Sequence, residues 1–182
     1  TVEDYNACLK WMVDECLKRF NEKDYEYVEL MGFYWQVENL RPNMWSSAAA
    51  HDAKAVVEFN KYVHSLGYKT VWLPYYNYNN GIWHALYYGF DVVCWQPNYM
   101  FNDTEPNRLE VIAEMAKLYG VGIEIEIESN EQGEESLKKY REYLGVGYEY
   151  GFMNGVNAYY QGAVPGAYVL YRDAENVYNK AI

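Results

Sequence analysis

Positive charge is scarce in this sequence: fifteen lysines and arginines stand against twenty-six aspartates and glutamates, for a net charge of −11. Such a surface repels phosphate backbones and anionic lipid headgroups, so no nucleic-acid partner is expected. No apolar run reaches the length of a membrane-spanning helix, so no membrane insertion is expected either. Cysteine is almost as scarce. Cys8, Cys16 and Cys94 cannot all pair with one another, none belongs to a Cys-x-x-Cys motif, and three scattered histidines make no metal-ligand pattern. All three thiols are expected to be buried, because free cysteine behaves as a small hydrophobe. Neither a metal nor a cofactor is expected. No Gly-x-Gly-x-x-Gly or P-loop follows any strand-like run, which leaves a nucleotide-binding fold without support. Low-complexity tracts and short repeats are missing too. No charged and apolar leader opens the chain, so any secretion signal is expected to lie outside it.

Aromatic residues, by contrast, make up 19 % of the chain, including 22 tyrosines and 6 tryptophans. Each combines an apolar face with a polar edge and suits a ligand that is itself amphipathic, such as a sugar. The alternative is that the rings fill a core between helices and a sheet. At 182 residues the chain is expected to be one domain spanning positions 1–182, long enough for a sizeable core.

Periodicity divides the chain into alternating elements. Val2, Tyr5, Leu9, Met12, Cys16, Leu17 and Phe20 recur at three- and four-residue steps, which predicts a helix. "YVELMGFYWQVE" predicts a strand ending near Glu38, and "HDAKAVVEFNKYVHSLGY" a helix stopped by Gly67. "KTVWLPYYNY" is strand-like, "GIWHALYYGF" a short helix, and "DVVCWQPNYMF" a strand broken near Pro97. Thr104, Glu105 and Pro106 predict a helix start; Asn102-Asp103-Thr104 also matches a glycosylation sequon, though helix capping explains it as well. That helix runs through Leu109, Ile112 and Ala116 to Gly120. A strand rich in isoleucine and glutamate, the helix "GEESLKKYREYLG", a last strand in "VNAYYQG" and a closing helix in "YRDAENVYNKAI" complete the order. Alternation of strand and helix implies a parallel sheet with right-handed crossovers.

The most informative stretch is "GVGIEIEIES", in which Glu124, Glu126 and Glu128 alternate with Ile123, Ile125 and Ile127. One face of that strand is apolar and the other carries three carboxylates. An antiparallel edge strand could leave the acids in solvent. A parallel sheet covered by helices cannot, so the isoleucines are expected to face helices and the glutamates the lumen of a barrel. Other polar residues also gather at strand C-terminal ends: Glu38, Asn77, Gln96, Asn98 and Gln161. That is where (β/α)8 barrels of the TIM type build their sites.

"KWMVDECLKRF", "LMGFYWQVENL", "VWLPYYNYNNG", "GFDVVCWQPNYMF", "GVGIEIEIE" and "AYYQG" resemble, in order and over nearly the whole chain, blocks of the domain of unknown function 4855 family. Its members are secreted bacterial proteins related to glycoside-hydrolase barrels. The resemblance implies that this chain is the C-terminal part of such a TIM barrel, an incomplete barrel of about five parallel strands, four to eight. Missing N-terminal strands, or a second copy, would cover its open edges. It further implies a bacterial protein outside the cell, at the cell surface or in the periplasm, acting on a poly- or oligosaccharide. In the large clan of retaining glycosidases that shares this barrel, the acid/base glutamate ends strand four and the nucleophile ends strand seven. Carried over, these are Glu38 and Glu126, with Glu124 one layer deeper as a structural partner and Glu128 toward the rim. In that clan asparagine usually precedes the acid/base residue; here Val37 precedes Glu38 and Asn39 follows it. A retaining pair implies carboxyl groups roughly 5–5.5 Å apart, an inverting pair roughly 6.5–9.5 Å. Trp35, Trp72, Tyr75, Trp95, Tyr99 and Tyr160, at or near strand ends, are expected to stack on sugar rings, and Gln96 and Asn98 to bond their hydroxyls. His84 is read as an ordinary surface or satisfied histidine. The competing functions are a non-catalytic glycan-binding barrel and a structural module of a larger surface protein.

Overall fold

A computed structural model describes residues 1–40, 53–76, 82–101, 105, 107–127 and 133–161. Asn77, the sequon at 102–104, the helix start at Thr104 and Pro106, Glu128, and the closing helix at 171–182 lie outside these residues. The chain divides into two compact units, Thr1–Val93 and Cys94–Ile182. The protein is of mixed α/β class, and every pairing among its five described strands is parallel, as the alternation of strand and helix implied.

The first unit holds α1 (Val2–Glu22), β1 (Gly32–Trp35), α2 (Ala53–Ser65), β2 (Lys69–Trp72), a 3-10 segment (Ile82–Tyr88) and the start of β3 (Val92–Trp95). α1 buries one line of side chains, with Val13 at its centre and Tyr5, Leu9, Leu17 and Phe20 partly covered. Met12 and Cys16, expected on that line, are exposed instead, and so is Cys8. The expectation of three buried thiols therefore holds only for Cys94. The reason is geometric: the covered line follows four-residue steps through Val13, and Cys8, Met12 and Cys16 form a parallel line beside it.

β1 is shorter than the sequence pattern implied. Its four residues pair with the four of β2, from Gly32↔Lys69 to Trp35↔Trp72, and a strand ends where its partner does. Tyr27, Val28 and Met31, before it, are exposed. α2 turns Val56, Phe59 and Val63 inward and stops at Gly67, whose φ of 85° is open to glycine at no steric cost. Buried Asn60 donates to the Tyr88 carbonyl at 2.7 Å, joining α2 to the 3-10 segment.

Asp91 ties three elements together. It accepts from the Lys69 ammonium (2.9 Å), from the Thr70 amide (2.8 Å) and from His64 at the end of α2 (2.7 Å). Partial burial pushes its carboxyl upward, but these donors outweigh it and hold the group at about 2. In the unfolded chain the same group titrates near about 3.9. Its stabilising contribution is therefore complete above the unfolded value and is lost as pH falls through the folded one. Urea midpoints of the wild type should drop more steeply between pH 5 and pH 2 than those of Asp91→Asn; parallel profiles would refute the role given to this carboxylate.

The second unit holds the end of β3, α3 (Arg108–Tyr119), β4 (Gly122–Ile127), α4 (Gly133–Tyr150), a 3-10 turn (Phe152–Asn154) and β5 (Ala158–Gln161). Cys94 and Trp95 pair with Gly122 and Ile123, and Glu124 to Ile127 pair with Ala158 to Gln161. Gly120 ends α3 at φ 67°, donating back to Ala116 and Lys117. α4 runs past Gly145, where the sequence pattern placed its end. Gly147 lets Phe152 and Met153 cross the helix, since a Cβ there would lie 2.7 Å from the Phe152 ring and 2.6 Å from Met153. The Cys94 thiol is buried against the Val156 carbonyl, and burial pushes it up to about 11.

Candidate functional site

β4 has no wet face. Ile123, Ile125 and Ile127 are buried, and so are Glu124 (5 % exposed) and Glu126 (3 %). A solvated edge is thereby excluded for these two acids. An ionised carboxylate that far from water is tolerable only if donors replace the lost hydration. At Glu126 they do. Its Oε1 accepts the Asn98 amide at 2.9 Å, and its Oε2 accepts the Met100 amide at 3.3 Å and the Tyr143 hydroxyl at 2.5 Å. Tyr143 comes from α4, so one of the three donors to this carboxylate is a helix-borne phenol.

The segment those amides belong to follows β3. It turns through Asn98 at φ 53°, in the left-handed region that asparagine tolerates better than most residues. Charged side chains grip it from every side. While Glu126 holds two of its N–H groups, Arg108 at the start of α3 donates to the Pro97 carbonyl at 2.5 Å. Lys139 of α4 donates to the carbonyls of Tyr99 (3.4 Å) and Met100 (3.1 Å). The Tyr99 hydroxyl donates to Glu142 at 2.6 Å, and its ring meets Tyr143 edge-on at 5.8 Å. Arg108 is itself buried and bonds Glu105 at 2.8 Å. Every backbone polar group named here has a partner of matching charge, which fixes the segment's conformation.

Burial pushes the Glu126 carboxyl above the ordinary glutamate range, although Tyr143, the two amides and the positive charge of Arg108 all pull it down. Tyr143 is raised well above the usual phenol range by burial and by the negative charge of Glu126, so it stays a donor. Glu124, two positions earlier on the same face, adds its charge to the forces that raise the Cys94 thiol.

Residues 1–178 match the family described as Domain of unknown function (DUF4855). The chain belongs to that family. No curated protein and no solved structure matches it. Family membership thus bears out the resemblance carried by the sequence blocks.

The residues expected at a site fall into two groups. In the first unit Glu38 is exposed, three positions beyond β1, and its carbonyl accepts the Tyr75 amide at 3.3 Å, which sets these two strand ends side by side. Trp35 and Trp72 are core residues there. Trp35 packs against Tyr5 and Phe59, and Trp72 stacks on Phe90 while its indole N–H donates to the Val37 carbonyl. Neither ring is open to a ligand in this arrangement. In the second unit Gln96, Asn98 and Tyr99 are partly buried, Asn98 bonding Glu126 through its amide, while Trp95 is buried and Tyr160 is exposed in register with Glu126. Sequence reasoning missed Tyr143, Arg108 and Lys139. Arg108 left a signal, since a cation in the first turn of a helix opposes the helix dipole and calls for a local reason. Tyr143 and Lys139 left none beyond their place on a helix.

Proposed function

We propose that the protein is a glycoside hydrolase acting on a poly- or oligosaccharide, with Glu126 as nucleophile and Glu38 as acid/base in a retaining mechanism. Its five strands then correspond to strands four to eight of a TIM-type barrel, whose remaining strands or a second copy flank β1 and β5, and the protein works outside the bacterial cell. The observation that supports this reading is Glu126 itself: a buried carboxylate near the C-terminal end of a parallel strand, oriented by three donors. A nucleophile of this kind needs a fixed direction and a protein environment in place of solvent. Glu124 then acts as a neighbouring charge, and Gln96, Asn98, Tyr99, Tyr75 and Tyr160 as the surrounding sugar contacts.

A second reading, a non-catalytic carbohydrate-binding module, is favoured by the same bonds seen otherwise: both oxygens of Glu126 are already committed to the segment after β3 and to Tyr143. Kinetics on the full-length protein separate the two. Glu126→Gln is expected to abolish turnover while leaving glycan binding largely intact. Glu38→Gln is expected to slow substrates with poor leaving groups far more than activated aryl glycosides, because only the former need the proton. Thermal midpoints measured alongside distinguish a lost nucleophile from a lost fold. Hydrolysis that neither substitution slows removes both assignments, and binding without cleavage installs the module reading.

A further inference from the structure

Phe101 and Tyr160 are two large rings left about half in solvent, 46 % and 45 % exposed. They meet edge to face, with centroids 6.1 Å apart and planes at 76°. Single exposed aromatics are ordinary on protein surfaces. This pair differs in how firmly it is placed. Tyr160 is the register partner of Glu126 on the neighbouring strand, so the two side chains leave the sheet on the same face. Phe101 directly follows Met100, whose amide Glu126 holds and whose carbonyl Lys139 holds. The carboxylate thus anchors the backbone beside one ring and lies opposite the other.

We infer that Phe101 and Tyr160 form a stacking subsite for one ring of a neutral or amino-bearing saccharide. A pyranose has an apolar C–H face and a rim of hydroxyls. Two rings at right angles offer it a flat π-face with an edge beside it, and the tyrosine hydroxyl adds a polar contact at the rim. Charge narrows the class further. At −11, the chain repels polyuronates and sulfated glycans at long range and tolerates neutral or cationic sugars. The inference rests on the carbohydrate reading above and specifies a subsite and a charge preference for it.

Affinity electrophoresis and calorimetry of the full-length protein test it with three probes: cellohexaose, chitosan hexamer and polygalacturonate. The wild type should bind at least one of the first two and not the third. The double variant Phe101→Ala/Tyr160→Ala should lose at least tenfold in affinity, with its thermal midpoint nearly unchanged because both rings are half exposed already. Phe101→Leu, which keeps apolar bulk without a π-face, should stay weakened. Undiminished binding by the double variant, or full recovery with leucine, overturns the stacking subsite while the carbohydrate reading stands. Preference for polygalacturonate overturns the charge argument. No binding to any probe removes the inference, and the hydrolase reading is then left to the turnover experiments on Glu126 and Glu38.

Discussion

Glu126→Ala is expected to destabilise the protein by about 3–5 kcal/mol, the range for removing one partner from a buried charged cluster. The substitution strands three donors, the amides of Asn98 and Met100 and the hydroxyl of Tyr143. Each buried polar group without a partner costs about 1–3 kcal/mol. Relief from burying the carboxylate itself offsets part of that sum. Glu126→Gln keeps the volume and one acceptor oxygen but turns an amide toward at least one donor, so about 1–3 kcal/mol is expected. The two variants also differ from the wild type in pH dependence. Because the folded carboxyl titrates above its unfolded value, the folded state binds the proton more tightly. Wild-type stability should therefore fall as pH rises from the ordinary glutamate range through the raised value, and both variants should lack that decline. Urea unfolding followed from pH 4 to pH 8 reads both effects. Equal slopes for wild type and Glu126→Gln would mean that the carboxyl does not titrate as its surroundings require.

Gly122→Ala should be at least as damaging. A Cβ at Gly122 would lie 1.9 Å from the Val156 carbonyl oxygen and 2.9 Å from the Cys94 sulfur. The nearer obstacle is backbone, so no side-chain rotation relieves it. Moving the chain at Val156 also pulls on Asn157, which accepts the Ile123 amide and donates to the Phe152 carbonyl. A loss of about 3 kcal/mol or more is expected, in the range of strongly overpacked sites. Gly145 provides the opposite case within the same unit. It is exposed in the body of α4, a Cβ there would meet nothing within 4 Å, and alanine should stabilise by about 0.5–1 kcal/mol. Thermal or urea unfolding of the two variants should thus move in opposite directions; a neutral Gly122→Ala would show that Val156 can yield.

The helix ends and the parallel pairing were legible in the sequence because they depend on local patterning. Gly67 and Gly120 stop α2 and α3 where expected, both at positive φ. The alternation of isoleucine and glutamate located β4 to within a residue or two. What could not be read were partnerships across the chain. The donors around Glu126 lie 28, 26 and 17 positions away, and no periodicity encodes which amide or phenol arrives there. The length of β1 was hidden for the same reason, since it is set by β2. Cys8 and Cys16 were misplaced because a helical repeat fixes the spacing of a stripe but not which of two adjacent stripes a neighbour covers.

The grip on residues 97–100 also carries an order of events during synthesis. Lys139 follows Tyr99 by 40 residues and Glu142 follows it by 43. At ribosomal rates of about 5–20 residues per second, that delay is on the order of 2–8 seconds. Throughout it the groups that α4 will later hold lack those partners, because none of those side chains has yet been made. Its shape is thus a late acquisition of the nascent chain, complete only once α4 is in place.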